Sequence, residues 1–503
     1  MTNPSELDLP SPSGDMLCPK DNNPSINGDA CNASDNKVRM KKELGLLEGV
    51  AIILGIIFGS GIFISPKGVI QEVESVGLSL VVWVLCGFLS TIGALCYAEL
   101  GTSIPKSGGD YAYIYEAFGE LPAFLYLWAA NLIFVPTTNA IMGLTFAKYV
   151  IQPFFPQCAL PGLGATLVAA ATICFLSFLN GYNVRATTRL QNIFMVCKVG
   201  ALCLVILIGV VWMGLGHVDN FDRPFEGTTS NPGKVAKAVV SGFFSYSGWN
   251  YLNFMTEELR NPYVNLPRAI YISLPLVTSI YVLANMAYLG VLTPEQMLAS
   301  DAIAVTFGDR VLGTWSWIIP LLVAISAFGG LSVHVMASSR MLYVGARNGQ
   351  FPEFLSHLSM DRLTPTPSLF FLSVLSLFML LTSDIHQLIT YCTIVETGFV
   401  LLSVAGMIYL RWKRPNMMRP IRVHLGLPIL FILLCVFLII MTCLDAPFEV
   451  LMGILITLTG VPAYYCGIVW KSKPKVFRNM MREWTKLSQK IFFAAHEDKD
   501  FDE

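Results

Sequence analysis

Apolar runs long enough to cross a bilayer follow one another along this chain, and a soluble fold has nowhere to put them. Twelve can be counted, most near or above the ~20 residues that a membrane helix needs. They lie at about 45–72, 77–102, 121–150, 160–181, 188–216, 236–259, 267–293, 313–345, 366–384, 387–411, 425–444 and 449–470. Charged residues make up 13% of the 503 positions, against roughly 25% in soluble domains. The expected fold is therefore an all-α membrane protein of twelve transmembrane helices, with lipid as an obligatory partner. A net charge of −1 offers no case for nucleic acid.

The polar stretch 1–43 is rich in Ser, Pro, Asn and Asp and reads as a disordered cytosolic tail rather than a signal peptide. Lys and Arg gather in alternate loops, among them Lys106, Arg185, Arg260, Arg347 and Arg411 to Arg422. The positive-inside rule then places both termini in the cytosol. Residues 471–503 form a second cytosolic tail, whose stretch 475–493 is basic and amphipathic and suits the inner membrane surface, with a solvated helix as the other reading. Residues 103–119 are too polar to span and too apolar for a free linker, and read as a re-entrant loop. A short helical pattern begins the external loop 294–310.

Two of the apolar runs are interrupted. Gly59-Ser60-Gly61 breaks the first, and Phe244 to Asn250, with Ser247-Gly248-Trp249 inside it, breaks the sixth. Irregular backbone at membrane depth is tolerated only where protein or a water-filled cavity satisfies the freed groups, and such pairs mark the substrate site of inverted-repeat transporters. One half-helix presents N–H groups, which favour an anion, and the other presents C=O groups, which favour a cation. An α-amino acid carries both charges on one carbon. Its carboxylate would take amides around Ser60, Gly61 and Ile62, and its ammonium carbonyls near Ile57, Phe244 and Ser247. Glycine at 59 and 61 leaves room for close approach. A small-residue packing seam is the plainer explanation of Gly-Ser-Gly alone. Phe244 and Trp249 flank the second break and could close over a bound molecule or simply pack.

Two ionisable residues lie deep in runs and are functional candidates by default. Lys198, in the fifth, could replace a coupling cation beside the first break, or snorkel to the edge. Glu396, in the tenth, could meet a substrate side chain, carry a proton, or stay neutral within the bundle. Most of the twelve cysteines sit inside apolar runs as small buried thiols, whereas Cys158 stands in an external loop. No Cys-x-x-Cys or His cluster suggests a metal, and no cofactor is expected.

Several stretches carry a resemblance. They include Ile56-Ile57-Phe58-Gly59-Ser60-Gly61-Ile62-Phe63, Tyr97-Ala98-Glu99-Leu100-Gly101, Lys106-Ser107-Gly108-Gly109, Gly248-Trp249-Asn250-Tyr251-Leu252-Asn253-Phe254 and Pro462-Ala463-Tyr464-Tyr465. The chain resembles the light subunits of heteromeric amino-acid transporters, of the amino acid–polyamine–organocation superfamily, and most of all the sodium-independent L-type exchangers. The resemblance spans about residues 40–475 and implies a five-plus-five inverted repeat with discontinuous first and sixth helices. Helices one to five would occupy 44–216, six to ten 236–411, and eleven and twelve 425–470. It also implies substrate contacts at Ile57, Gly59, Ser60, Gly61, Phe244, Ser247 and Asn250, with Phe244 as gate. Lys198 stands where sodium-coupled relatives bind sodium. Cys158 matches the cysteine that forms a disulfide with a single-pass glycoprotein heavy chain. The family glycine at 247 is here Ser. Anionic cystine/glutamate exchangers carry Arg at position 396 and a second Arg in the third span, where this chain has Glu396 and Val135.

The expected function is a plasma-membrane, sodium-independent antiporter of neutral amino acids such as leucine, acting in a heterodimer by alternating access. A broader neutral-plus-cationic exchanger using Glu396, a proton-coupled transporter and a non-transporting sensor stay open. An enzyme is not expected, because no nucleophile–base pair lies within the membrane.

Overall fold

A computed structural model describes residues 44–59, 61–154, 162–300, 303–381, 385–445, 447–470 and 474–496. Residue 60, the loop with Cys158, and the tail 1–43 lie outside the described residues. The first expected crossing is two helices, α1 (Leu46–Ile57) and α2 (Gly61–Val73). Then come α3 (Val76–Ser103), the short α4 (Asp110–Phe118), and one crossing made of α5 (Glu120–Ala129), a π-helical turn (Ala130–Phe134) and α6 (Val135–Ile151). Next are α7 (Gly162–Tyr182), α8 (Val184–Gly214) and α9 (Pro232–Ser245), which ends at the second break before a 3-10 segment, Tyr251–Glu258. The chain goes on through α10 (Pro262–Val291), α11 (Pro294–Ala299), α12 (Ile303–Leu312) and α13 (Ile318–Arg347). It ends with α14 (Thr366–Met379), α15 (Ile385–Lys413), α16 (Gly426–Asp445), α17 (Pro447–Leu458), α18 (Gly460–Tyr464) and α19 (Lys475–Phe492).

Among the described residues, ten helices are long and apolar enough to cross a membrane. The other two runs expected to cross correspond to α14, which is apolar but short, and to α9 with its 3-10 continuation. The loop after α10 holds two helices rather than one. The first, α11, starts at a capping box in which Thr293 and Gln296 satisfy each other's backbone amides.

Burial sorts the crossings. The best buried are α1 with α2 and α13, while α16 and the last crossing, Val450–Val469, turn most of their surface outward. Such outward apolar surface suits lipid. Helix α13 packs against α1, α6 and α8, and α10 packs against α1, α3 and α8. The first broken crossing thus lies among the most enclosed elements.

Residues 103–119 fold inward. Gly108 and Gly109 take positive φ, +110° and +53°, and release α4 to lie under the second break. A Cβ at Gly109 would overlap the Phe254 ring. Ion pairs fasten this end of the bundle. Glu257 takes Arg347 in a two-pronged pair at 2.9–3.1 Å and accepts the Ser107 amide at 3.0 Å. Glu258 binds Arg340 at 2.8 Å, both fully buried, and Glu99 pairs with Arg411.

The C-terminal stretch does not hang free. After α19 the chain pairs Ala494–Ala495 (β2) antiparallel with Leu358–Ser359 (β1), and Met360 N–H donates to the Phe493 carbonyl at 2.9 Å. Beside this pairing His357 is buried, its ring 5.6 Å from that of His496. Burial, then the neighbouring His496, lower the His357 pKa below its ordinary value, with Glu353 acting the other way.

Two outcomes are expected. Gly109→Ala should lower the melting temperature of the purified protein more than Gly119→Ala. Both positions have positive φ outside the left-handed helical region and a strain of roughly 1–3 kcal/mol for a side chain, but Gly119 faces open space and Gly109 faces Phe254. The second concerns acidity. A histidine kept neutral when docked refuses a proton that the undocked form accepts below about pH 6.5, so docking weakens as pH falls. Hydrogen exchange at Met360, corrected for its intrinsic rate, should be faster at pH 5.5 than at 7.5, and His357→Gln should flatten that difference.

Candidate functional site

A helix that stops inside a bundle leaves its last carbonyls without intrahelical donors. At the end of α1 three side chains from three helices supply them. Lys198 of α8 donates to the Gly55 carbonyl at 2.6 Å, Tyr281 of α10 to Ile57 at 2.6 Å, and Ser326 of α13 to Phe58 at 2.6 Å. The ammonium of Lys198 sits at the negative pole of α1, where a cation is favoured, and is fully buried. Its stem lies over Gly329 and Gly330, and a Cβ at Gly329 would come within 2.9 Å of Lys198 Cε.

On the other side of the break α2 opens at Gly61, so the amides of Gly61, Ile62 and Phe63 have no intrahelical acceptor. A Cβ at Gly61 would come within 2.9 Å of Ser245 Cα, and one at Gly248, whose φ is +111°, would overlap the Ile56 side chain. The two breaks therefore touch, and glycine is what lets them. Tyr281 ties them further, because its hydroxyl also lies 3.2 Å from the Ser245 carbonyl. At the second break the Phe244 carbonyl accepts the Ser247 amide at 3.1 Å.

Below the second break Asn250 donates to Asp110 Oδ2 at 3.3 Å. Asp110 is buried and also accepts the hydroxyls of Tyr97 and, at 2.7 Å, Ser403. A cavity of about 20 Å³ is lined by Asp110, Asn250, Tyr126, Tyr251 and Glu396. A second, of about 60 Å³, is lined by Phe244, Ser247, Asn250, Glu396 and, from α16, Phe431 and Cys435. The first has room for about one water and the second for a few, so the site is contracted in this structure.

The structure thus gathers Phe244, Ser247, Asn250 and Glu396 around one pair of cavities, with Ile57, Gly59 and Gly61 at the adjoining break. Phe244 is 42% exposed, whereas Trp249 is 4% exposed and packs edge-on against Tyr97. Ser60 and Cys158 fall outside the described residues. Sequence reasoning missed Tyr281, Ser326 and Asp110. It also missed His334, which bonds Tyr251 at 2.9 Å and Asn139 at 2.8 Å across α13. A lone polar group amid an apolar run must find a partner, which marks Tyr281, Ser326 and His334 but not Asp110, set in the polar stretch 103–119. The π-helical turn Ala130–Phe134, a form frequent at functional sites, left no such signal.

The family model for amino acid permease matches residues 44–468. This chain belongs to the amino acid permease family. It is a multi-pass membrane transporter, not an enzyme. Among relatives of this permease, human "Large neutral amino acids transporter small subunit 2" is 46% identical over 468 residues, covering 91% of this chain and 86% of the relative. Mouse "Asc-type amino acid transporter 1" is 42% identical over 474 residues, 93% of this chain and 89% of the relative. Human "Cystine/glutamate transporter" is 44% identical over 462 residues, 92% of each.

For this permease the Lys198 contact predicts an outcome that sodium settles. The melting temperature of the purified protein should be the same in sodium chloride and choline chloride, because the pole of α1 is already occupied. Lys198→Met should remove a charge-assisted hydrogen bond and about 2 kcal/mol of stability, read as a lower melting temperature. A wild-type protein that sodium stabilises would show that a cation site survives there.

Proposed function

We propose that this permease is a sodium-independent exchanger of neutral amino acids such as leucine, working by alternating access. The observation that carries the reading is the contact between two broken helices, one offering the amides of Gly61 to Phe63 and the other the carbonyls that end α9. The α-carboxylate takes the first, with Ser60 beside it, and the α-ammonium takes the Ile57 carbonyl together with the end of α9. Lys198 holds the place of a coupling cation. Ile57, Gly59, Ser60, Gly61, Phe244, Ser247, Asn250 and Glu396 are the proposed substrate residues, and Phe244 the gate. Because the cavities are small, substrate entry requires Phe244 to move away from Ser247 and Asn250.

The division into a first repeat of helices one to five and an inverted second repeat of six to ten belongs to this proposal. So do a plasma-membrane location, cytosolic termini, and a disulfide through Cys158 to a single-pass glycoprotein heavy chain. The name of the human relative includes "small subunit", which supports a partner subunit, and "neutral amino acids", which supports the cargo.

One observation favours a second, wider reading. Asp110 and Glu396 line the same cavity. Two acidic side chains there can accept from a cationic side chain and offer an anionic one no cationic partner, so neutral and cationic amino acids could both be carried.

Labelled leucine preloaded into vesicles holding the protein and a heavy chain should leave faster when leucine is present outside. Equal efflux with and without it rejects exchange. Lysine competition against leucine uptake separates the two ranges, and Glu396→Asn should weaken any such competition about tenfold, the loss expected for one charge-assisted contact.

A further inference from the structure

Away from the site, a crevice of about 1010 Å³ opens between α19 and the basic-face ends of α5, α13 and the last crossing. One face of α19 lines it with Arg478, Arg482 and Lys486, one turn apart. Lys486 pairs with Glu483 at 3.0 Å, but Arg478 and Arg482 have no acidic partner among the described residues. The inner wall carries Phe124, Trp128 and Ile468. It also carries Gln350, whose side chain is 5% exposed and whose Oε1 has no hydrogen-bond partner among the described residues. On its other face α19 exposes Val476, Met480, Trp484, Leu487 and Ile491. A helix that is apolar outward and basic inward suits the interface of a bilayer.

We propose that this crevice binds the headgroup of an anionic glycerophospholipid. The phosphate sits between Arg478 and Arg482, which offer fork-shaped donors matched to its oxygens. A donor on the headgroup, an ammonium or hydroxyl as in phosphatidylserine or phosphatidylinositol, satisfies Gln350. The aromatic wall at Phe124 and Trp128 takes the glycerol end and the start of the acyl chains. A volume of this size accommodates a headgroup, whereas a lone phosphate would leave Gln350 and the apolar wall unused. The lipid is then the third element, with the β1–β2 pair, that holds α19 against the bundle.

The test uses the full chain in nanodiscs of phosphatidylcholine with or without phosphatidylserine. Native mass spectrometry after release should find phosphatidylserine retained over phosphatidylcholine, and Arg478→Ala with Arg482→Ala should cut that enrichment about tenfold. Hydrogen exchange in α19 should slow when phosphatidylserine is added, in the wild type but not in the double variant, with unchanged elution of both proteins confirming the fold. Equal retention of the two lipids overturns the proposal. Equal protection by inorganic phosphate in phosphatidylcholine discs assigns the site to free phosphate and overturns it as well. So does phosphatidylserine protection that appears only after residues 497–503 are removed, because the acidic C-terminal residues would then be the occupant.

Discussion

A bilayer has no water to spare for an exposed peptide group, and every feature of the central site answers that constraint. Breaking a helix at membrane depth frees carbonyls and amides that would each cost several kcal/mol unpaired. At the end of α1 the answer is a lysine, a tyrosine and a serine delivered from α8, α10 and α13. The carbonyls that end α1 are thus already met by protein donors, while the amides at the start of α2 have no intrahelical acceptor. Under the proposed function a substrate carboxylate takes those amides, and the substrate ammonium turns to the carbonyls that end α9 and displaces a donor at Ile57.

Stiffness at the basic face complements that arrangement. Arg340 and Glu258 are both buried, and Glu99 takes Arg411 while accepting the Val423 amide at 2.8 Å. Buried pairs add little net stability over an apolar core, but losing one partner costs roughly 3–5 kcal/mol. They are therefore better understood as registry devices. Glu257 joins the segment after the second break to both Arg347 and the turn before α4. Any movement of the second break must either carry α4 with it or unfasten this group.

Much of the fold was legible because lipid imposes a simple code. Run length marked the crossings, and Gly-Ser-Gly and Ser-Gly-Trp marked the breaks at the right places. The polar texture of 103–119 was enough to read an inward fold, and α4 is that fold. Deep charges pointed to Lys198 and Glu396, and both lie beside the breaks. What stayed hidden depends on rotation about helix axes. Tyr281 and His334 look like ordinary members of apolar runs until their faces are known. Asp110 follows two glycines with positive φ, and its burial against Ser403 joins segments almost three hundred residues apart. The return of the chain from α19 to β1 was equally beyond periodicity, because a two-residue pairing leaves no pattern.

The balance of charge around the cavities bears on selectivity. Lys198 is spent on the Gly55 carbonyl, so it does not neutralise Glu396. Asp110 is held by three donors, none of them cationic: Tyr97, Asn250 and Ser403. The wall on which a substrate side chain would rest therefore carries two carboxylates and no described lysine or arginine. Under the proposed function an aspartate or glutamate side chain would bring its negative charge into a poorly solvated space that offers it no cationic partner, which is costly. The human relative named for cystine and glutamate shares 44% of its residues with this chain, so the common scaffold does not by itself choose the cargo. Under the proposed function selectivity then comes from the few side chains that line the cavities, Glu396 among them.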